Sequence, residues 1–332
     1  MYALPKTSFA GVSEWARHSG LGKLTPSAVF FRFRDSEGFF QACFKEALRH
    51  VEKTQVPQRF LGYRLLAADA TVLCGPAAKG TDQRLHVVYD LGSGAPTFVE
   101  VTDNKGGESL ARYESAFGPG DLVLGDRGYG HDRGIRSVLN AKSKFLIRLE
   151  FSSIRLLDEE GMPISAQRAK ERMPARGCAD FQVWLPQMET PLRVIGGWND
   201  EGKPVWLITN LTAEELSADE ARSLYSLRWQ IELFFKRLKS LLDLDELPTR
   251  DGPTARPWIW AKLLLAALAV LMADEVFSPY VPPNEEVCMG EVSKGDVENH
   301  LRHPRSRIQA QETNQNTQED PQTSQAICPL EA

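Results

Sequence analysis

Four residues able to do polar chemistry, Tyr225, Arg228, Glu232 and Lys239, stand at offsets of 0, 3, 7 and 14 in the segment YSLRWQIELFFKRLK. Leu224, Leu227, Ile231, Phe235 and Leu238 recur between them with a helical period. Read as one helix, at 100° per residue, the segment gathers the four into a sector of roughly 60°. One edge then offers a phenol, a guanidinium, a carboxylate and an ammonium to one place, beside an apolar stripe free to bury. A solvated charged edge is the plain alternative. Upstream, Asp69 in LLAADATVL and Asp126 in GDLVLGDRGY each end an apolar run that reads as a strand. Three carboxylates can therefore converge, and on the residues alone this supports a carboxylate-metal site on an α/β core.

These motifs resemble the DDE transposases of bacterial insertion sequences, and among them the insertion-sequence-four group. The group's Tyr-x2-Arg-x3-Glu-x6-Lys signature is matched by Tyr225, Arg228, Glu232 and Lys239, its Asp-x-Thr by Asp69-Ala70-Thr71, and its Asp-Arg-Gly-Tyr by Asp126-Arg127-Gly128-Tyr129. Thr209-Asn210-Leu211 also looks like the family, and the resemblance spans about residues 8 to 275. It implies that Asp69, Asp126 and Glu232 are the catalytic residues and the ligands of two Mg²⁺ ions, for which Mn²⁺ substitutes. Asp69 would bridge both ions. Hard cations prefer carboxylate oxygen, in keeping with the absence of clustered His or Cys. Two ions about 3.5 to 4 Å apart neutralise a phosphodiester and activate the attacking oxygen. Arg228 and Lys239 would bind phosphates, Tyr225 would donate a hydrogen bond to one, and Arg127 is open between a phosphate contact and a structural ion pair. Gly128 relieves crowding beside the metals. The implied reaction nicks a transposon end, passes through a hairpin and joins the freed end to target DNA. The implied partners are terminal inverted repeats, target DNA and a second copy of the chain. The other functional reading is a truncated, transposition-defective remnant that binds DNA or inhibits a full-length relative.

Residues 1–57 read as a helical subdomain, with Thr25 as N-cap and Pro26 at the first helical position. It is either a DNA reader or a packed accessory to the core. Residues 58–149 read as the first part of a ribonuclease-H-like core: strands GYRLLAADATVL, RLHVVYDL, PTFVEVTD, DLVLGD and KFLIRLE, with a helix at GESLARYESAF. Asp126 and Glu232 lie 106 residues apart, far more than a connection needs. Residues 150–210, with FQVWL, PLRVIGG and PVWLITN, therefore read as a β-rich insertion. It carries Trp184, Trp198 and Trp206, and in relatives an aromatic residue in the insertion captures a flipped base, a role stacking suits. Residues 211–280 return to the core with the signature helix and an apolar one, and residues 281–332, rich in Gln, Asn and Thr, read as a disordered tail. The resemblance leads one to expect more sequence ahead of residue 8 and further helices after the apolar one, so both ends read as altered.

With 332 residues, 42% hydrophobic and 25% charged, the composition is that of an ordinary globular protein. There is no signal sequence and no CxxC spacing among the five cysteines, which points to the cytoplasm. The apolar run at residues 258–273 is 16 long and contains Lys262, short of the roughly 20 residues of a membrane span. The net charge is −5, from 44 acidic and 39 basic residues, of which nine and four lie in residues 281–332. The remaining body is neutral, so composition neither favours nor excludes nucleic acid.

Overall fold

The computed structural model describes residues 8–54, 59–78, 80, 82–199 and 201–273. The tail expected at 281–332 lies outside them. In chain order the elements are helices α1 (Phe9–His18), α2 (Pro26–Arg34) and α3 (Glu37–Thr54), then strands β1 (Arg59–Phe60), β2 (Tyr63–Leu73), β3 (Gln83–Asp90), β4 (Ala95–Asp103) and β5 (Asp121–Gly125). Next come α4 (Asp132–Asn140), β6 (Lys144–Arg148), α5 (Ala166–Glu171), β7 (Ala179–Val183), β8 (Leu192–Trp198), β9 (Pro204–Thr209), α6 (Ala218–Ser226), α7 (Trp229–Leu242) and α8 (Gly252–Ala273).

One sheet runs in the order β4-β3-β2-β5-β6-β9-β8-β7, with β1 paired to β2. β2, β3 and β4 form an antiparallel meander, while β5 and β6 run parallel to β2. This five-strand order is that of a ribonuclease-H-like core, and the fold is mixed α/β. The parallel pairing of β5 with β6 demands a crossover, which α4 supplies. The sequence reading did not name α4, because Ile135 and Val138 are its only large buried apolar side chains. The segment expected as a helix at GESLARYESAF is a 3-10 run, Leu110–Ala116, entered through the side chain of Ser109.

β7, β8 and β9 do not form a separate sheet. They continue the core sheet through the antiparallel pairing of β9 with β6. Beyond the last β6–β9 pair, the Asn210 side chain extends the ladder, accepting from the Phe145 amide (2.9 Å) and donating to the Ser143 carbonyl (3.1 Å). Gly196 is required inside this sheet: a Cβ there would lie 2.2 Å from the ring of Trp206.

Because strand side chains alternate, the two faces bury different sets. Leu65, Ala67, Val87, Leu122, Leu124 and Leu146 meet α3, α7 and α8 through residues such as Phe44, Ile231, Phe235 and Trp260. On the other face Leu66, Ala68, Val88, Val123, Phe145 and Ile147 meet Tyr113, Tyr129, Ile135, Val138 and the inserted strands. Thr25 accepts from the Ala28 amide (3.1 Å) at the start of α2, and α1 packs Phe9 against Phe30 and Phe33.

Candidate active site

Asp69 follows Leu65 and Ala67 on the helix-covered face of β2, and Asp126 follows Leu122 and Leu124 on the same face just beyond β5. The last parallel register pair is Ala68 with Gly125, so Asp126 leaves β5 one step later, beside Asp69 in the middle of β2. Glu232 reaches them from α7, whose Ile231, Phe234, Phe235 and Leu238 are buried against the same face. β2, the end of β5 and the helix thus bring the three predicted carboxylates to one region.

The signature segment is not one helix. α6 ends at Ser226, α7 begins at Trp229, and Leu227 and Arg228 form a tight turn closed by bonds such as Arg228 N–H to Tyr225 carbonyl (3.1 Å). Three-residue bonding replaces four-residue bonding there, a local overwinding that apolar periodicity does not report. Convergence survives the break. The Arg228 guanidinium donates to Glu232 Oε1 (2.5 Å), lies 3.8 Å from Asp69 Oδ2 and is 5.7 Å from the Tyr225 ring centre. Burial works against its charge, but Tyr225, Glu232 and Asp126 outweigh it and hold the guanidinium firmly protonated.

Burial raises the Asp69 carboxyl to about 6, against the Ala70 N–H bond and Arg228, which lower it; Asp126 and Glu108 add to the rise. Burial also pushes the Tyr225 hydroxyl up to about 12. The Tyr225 hydroxyl and Arg228 Nε are buried without a well-formed hydrogen bond, which is costly unless a partner arrives. Among the described residues no three acidic, His or Cys side chains are gathered tightly enough to enclose one ion. Arg228 stands between Asp69 and Glu232 instead.

Asp69, Thr71, Glu232, Lys236, Lys239 and Ser240 line one cleft of about 640 Å³, rimmed by Asp243, Asp245 and Glu246. α7 ends at Asp243 in the left-handed conformation (φ 48°). Its last carbonyls, Leu242 and Asp243, accept from the fully buried Lys262 ammonium, so the one charge in the apolar run serves as a helix stop. Burial lowers that ammonium to about 8.

Arg127 is exposed and pairs with Glu150 at 3.6 Å. Trp206 is packed edge-on against Phe151 and Phe181 in the core. The indole N–H groups of Trp184 and Trp198 donate to the carbonyls of Glu189 (3.2 Å) and Pro174 (3.0 Å). Sequence reasoning missed three residues. Arg148 ends β6 in phase with Leu146, on the Asp126 face, and its charge acts on Tyr225; its place after KFLI was the available signal. Lys236 is one turn past Glu232. Glu108, isolated behind two glycines, had no signal.

A ribonuclease-H-like sheet with one aspartate inside β2, a second just past the end of the neighbouring parallel strand β5 and a glutamate on a following helix defines a class of metal-assisted nucleic-acid enzymes. Residues 61–268 match the model of the transposase DDE domain, and the chain belongs to the DDE transposase family. The family consists of polynucleotidyl transferases that carry out DNA transposition, and it generally uses divalent metal ions. Among its relatives, the transposase for insertion sequence element IS421 of Escherichia coli is 28% identical over 312 residues, covering 82% of this chain and 81% of that protein. The putative transposase InsL for element IS186A of Escherichia coli K12 is 28% identical over 311 residues, with the same coverage. The piggyBac transposase, solved as a synaptic complex with hairpin DNA, aligns with a TM-score of 0.45 at 11% identity, over 81% of this chain and 60% of that one.

Proposed function

We propose that this chain cuts and joins DNA at the ends of an insertion sequence, with Asp69, Asp126 and Glu232 as ligands of two divalent ions, Mg²⁺ or in its place Mn²⁺. The observation that carries the reading is that Asp126 leaves β5 beside Asp69 of the parallel strand β2, with α7 bringing Glu232 across. The donor set is all carboxylate oxygen, which suits hard cations. When bound, the ions neutralise the phosphodiester and activate the attacking oxygen.

The protein's own groups do the rest. Asp69, held near pH 6 by burial, is already a carboxylate in search of positive charge at neutral pH. Tyr225 and Arg228 each keep a buried donor without a well-formed hydrogen bond; both suit phosphate oxygens, and Arg228 is anchored through its Nη2 to Glu232. Lys236 and Lys239 line the same cleft and add point charges along a DNA backbone. The partners are the terminal inverted repeats and target DNA, with the protein acting as a homodimer in the cytoplasm. Among the described residues no helix is long and apolar enough to cross a membrane.

The test is nicking of DNA bearing the element's terminal repeats, with Mg²⁺ or Mn²⁺, by this chain and by its Glu232→Gln form. Cutting by the first alone is expected. Binding without cutting by either would replace this reading with that of a DNA-binding remnant or inhibitor.

A further inference from the structure

Gly128, in the turn after Asp126, has no unusual backbone: its φ is not positive. A Cβ placed there would meet one atom within 4 Å, the Glu108 Oε2, at 2.9 Å. The missing side chain at Gly128 therefore makes room for the Glu108 carboxylate. Glu108 Oε1 lies 3.4 Å from Arg84 Nη1, and that same nitrogen donates to the Gly106 carbonyl (3.1 Å). The pair is partly exposed, with side chains 20% and 35% exposed, and Arg84 Nε is buried without a partner. From this place Glu108 acts electrostatically on Asp69, Tyr113 and Tyr129.

We infer that Glu108 is a positioning residue that braces the Asp126-Arg127-Gly128 turn from the face of the sheet away from the helices, without ligating an ion. Arg84 holds the Glu108 head group and Gly128 admits it. The inference rests on the proposed cation-binding role of Asp69, Asp126 and Glu232. Outer groups that orient carboxylate ligands typically change metal affinity by about 10- to 100-fold, and the lower end of that range is expected at an edge this exposed.

The experiment measures Mn²⁺ binding to the full chain without DNA, from the electron paramagnetic resonance signal of free Mn²⁺. Asp126→Asn is the control for the underlying reading: if it binds Mn²⁺ as tightly as the parent, the metal site itself is wrong. With that control losing affinity, Glu108→Gln is expected to raise the Kd about tenfold with the number of ions unchanged. Gly128→Ala, which displaces the carboxylate and keeps its charge, should shift the Kd in the same direction by less. In DNA nicking, the Mn²⁺ concentration for half-maximal rate should move by the same factor as the Kd, which a loss of folded protein would not produce. An unchanged Kd in Glu108→Gln, or loss of an ion outright, overturns the positioning role.

Discussion

The two faces of the sheet around the middle of β2 solve the same problem in opposite ways. On the face away from the helices, His86 bonds Thr102 (2.9 Å) and Tyr113 (3.4 Å), and the Tyr113 and Tyr129 hydroxyls meet at 3.2 Å. All of these side chains except Thr102 are buried, and the buried polar atoms find partners in the protein. On the helix face, Asp69 is pulled from water, and Tyr225 and Arg228 each leave a buried donor without a well-formed hydrogen bond. Burial costs both groups of side chains solvation, but only the His86–Tyr113–Tyr129 cluster regains it from its own hydrogen bonds. Local rules kept on one face and broken a few ångströms away mark where the molecule works.

The largest expected break in this symmetry is between activity and stability at Asp69. Asp69→Asn should lower nicking by about 10²- to 10³-fold or more, the equivalent of several kcal/mol of lost charge stabilisation. The same change removes a buried charge and should raise stability at neutral pH by roughly 2 kcal/mol, read as a shift in the urea midpoint. An activity loss accompanied by a stability loss would mean that the helix face is as self-satisfied as the other.

Acid titration sharpens the contrast. Asp69, with its folded pKa raised to about 6 over an unfolded value near 3.9, takes up its proton first in the folded state. Its penalty is present above pH 6 and is relieved as the pH falls towards 4. His86 runs the other way. Burial first, then Arg112 and Arg84, lowers it to about 4 from an unfolded value near 6.5, so the unfolded chain is protonated first. Stability from neutral His86 is therefore lost as the pH falls from about 6.5 to 4. The two windows overlap with opposite signs, and their contributions should nearly cancel in the parent. In Asp69→Asn the His86 slope is left alone, and stability should fall by about 3 kcal/mol across that window; a difference profile without slope would refute the assignment. His86→Gln should reverse the trend.

A paired substitution tests the hydrogen bonds themselves. Tyr113→Phe removes a hydroxyl whose partners Tyr129 and His86 stay buried, and should cost about 1–3 kcal/mol with little change in DNA affinity. Tyr225→Phe removes a hydroxyl that makes no well-formed hydrogen bond in the protein and has Arg228 beside it. It should leave the urea midpoint within about 0.5 kcal/mol of the parent and weaken DNA binding instead.

The same contrast decides what could be read from sequence. Strands β2 to β6 and the two aspartates were legible because apolar runs lead into a carboxylate, a pattern that needs no knowledge of neighbours. The helix break at Leu227 was hidden, since one turn of tighter bonding leaves the apolar spacing intact. The joining of β7–β9 to the core sheet was hidden because pairing between β9 and β6 is a contact across more than 50 residues. Glu108 and Arg148 are single charges whose meaning comes only from the strand ends beside them. Within the site, the sequence reached residues carried by a motif and failed for those placed by tertiary register alone.

The smallest effect belongs to Arg127, on the rim between the two regimes. Its contact with Glu150, 3.6 Å long and 60% exposed on the arginine side, is too solvated to matter for the fold, so Arg127→Gln should leave the urea midpoint unmoved. If Arg127 also touches a phosphate, the slope of log affinity for DNA against log salt should fall by about 0.9 in the variant, with Glu150→Gln leaving the slope alone. An unchanged slope in Arg127→Gln would make the Glu150 pair its whole role. The phosphate-binding surface would then stop at Arg228, Lys236 and Lys239, on the helix face where the unpaired donors lie.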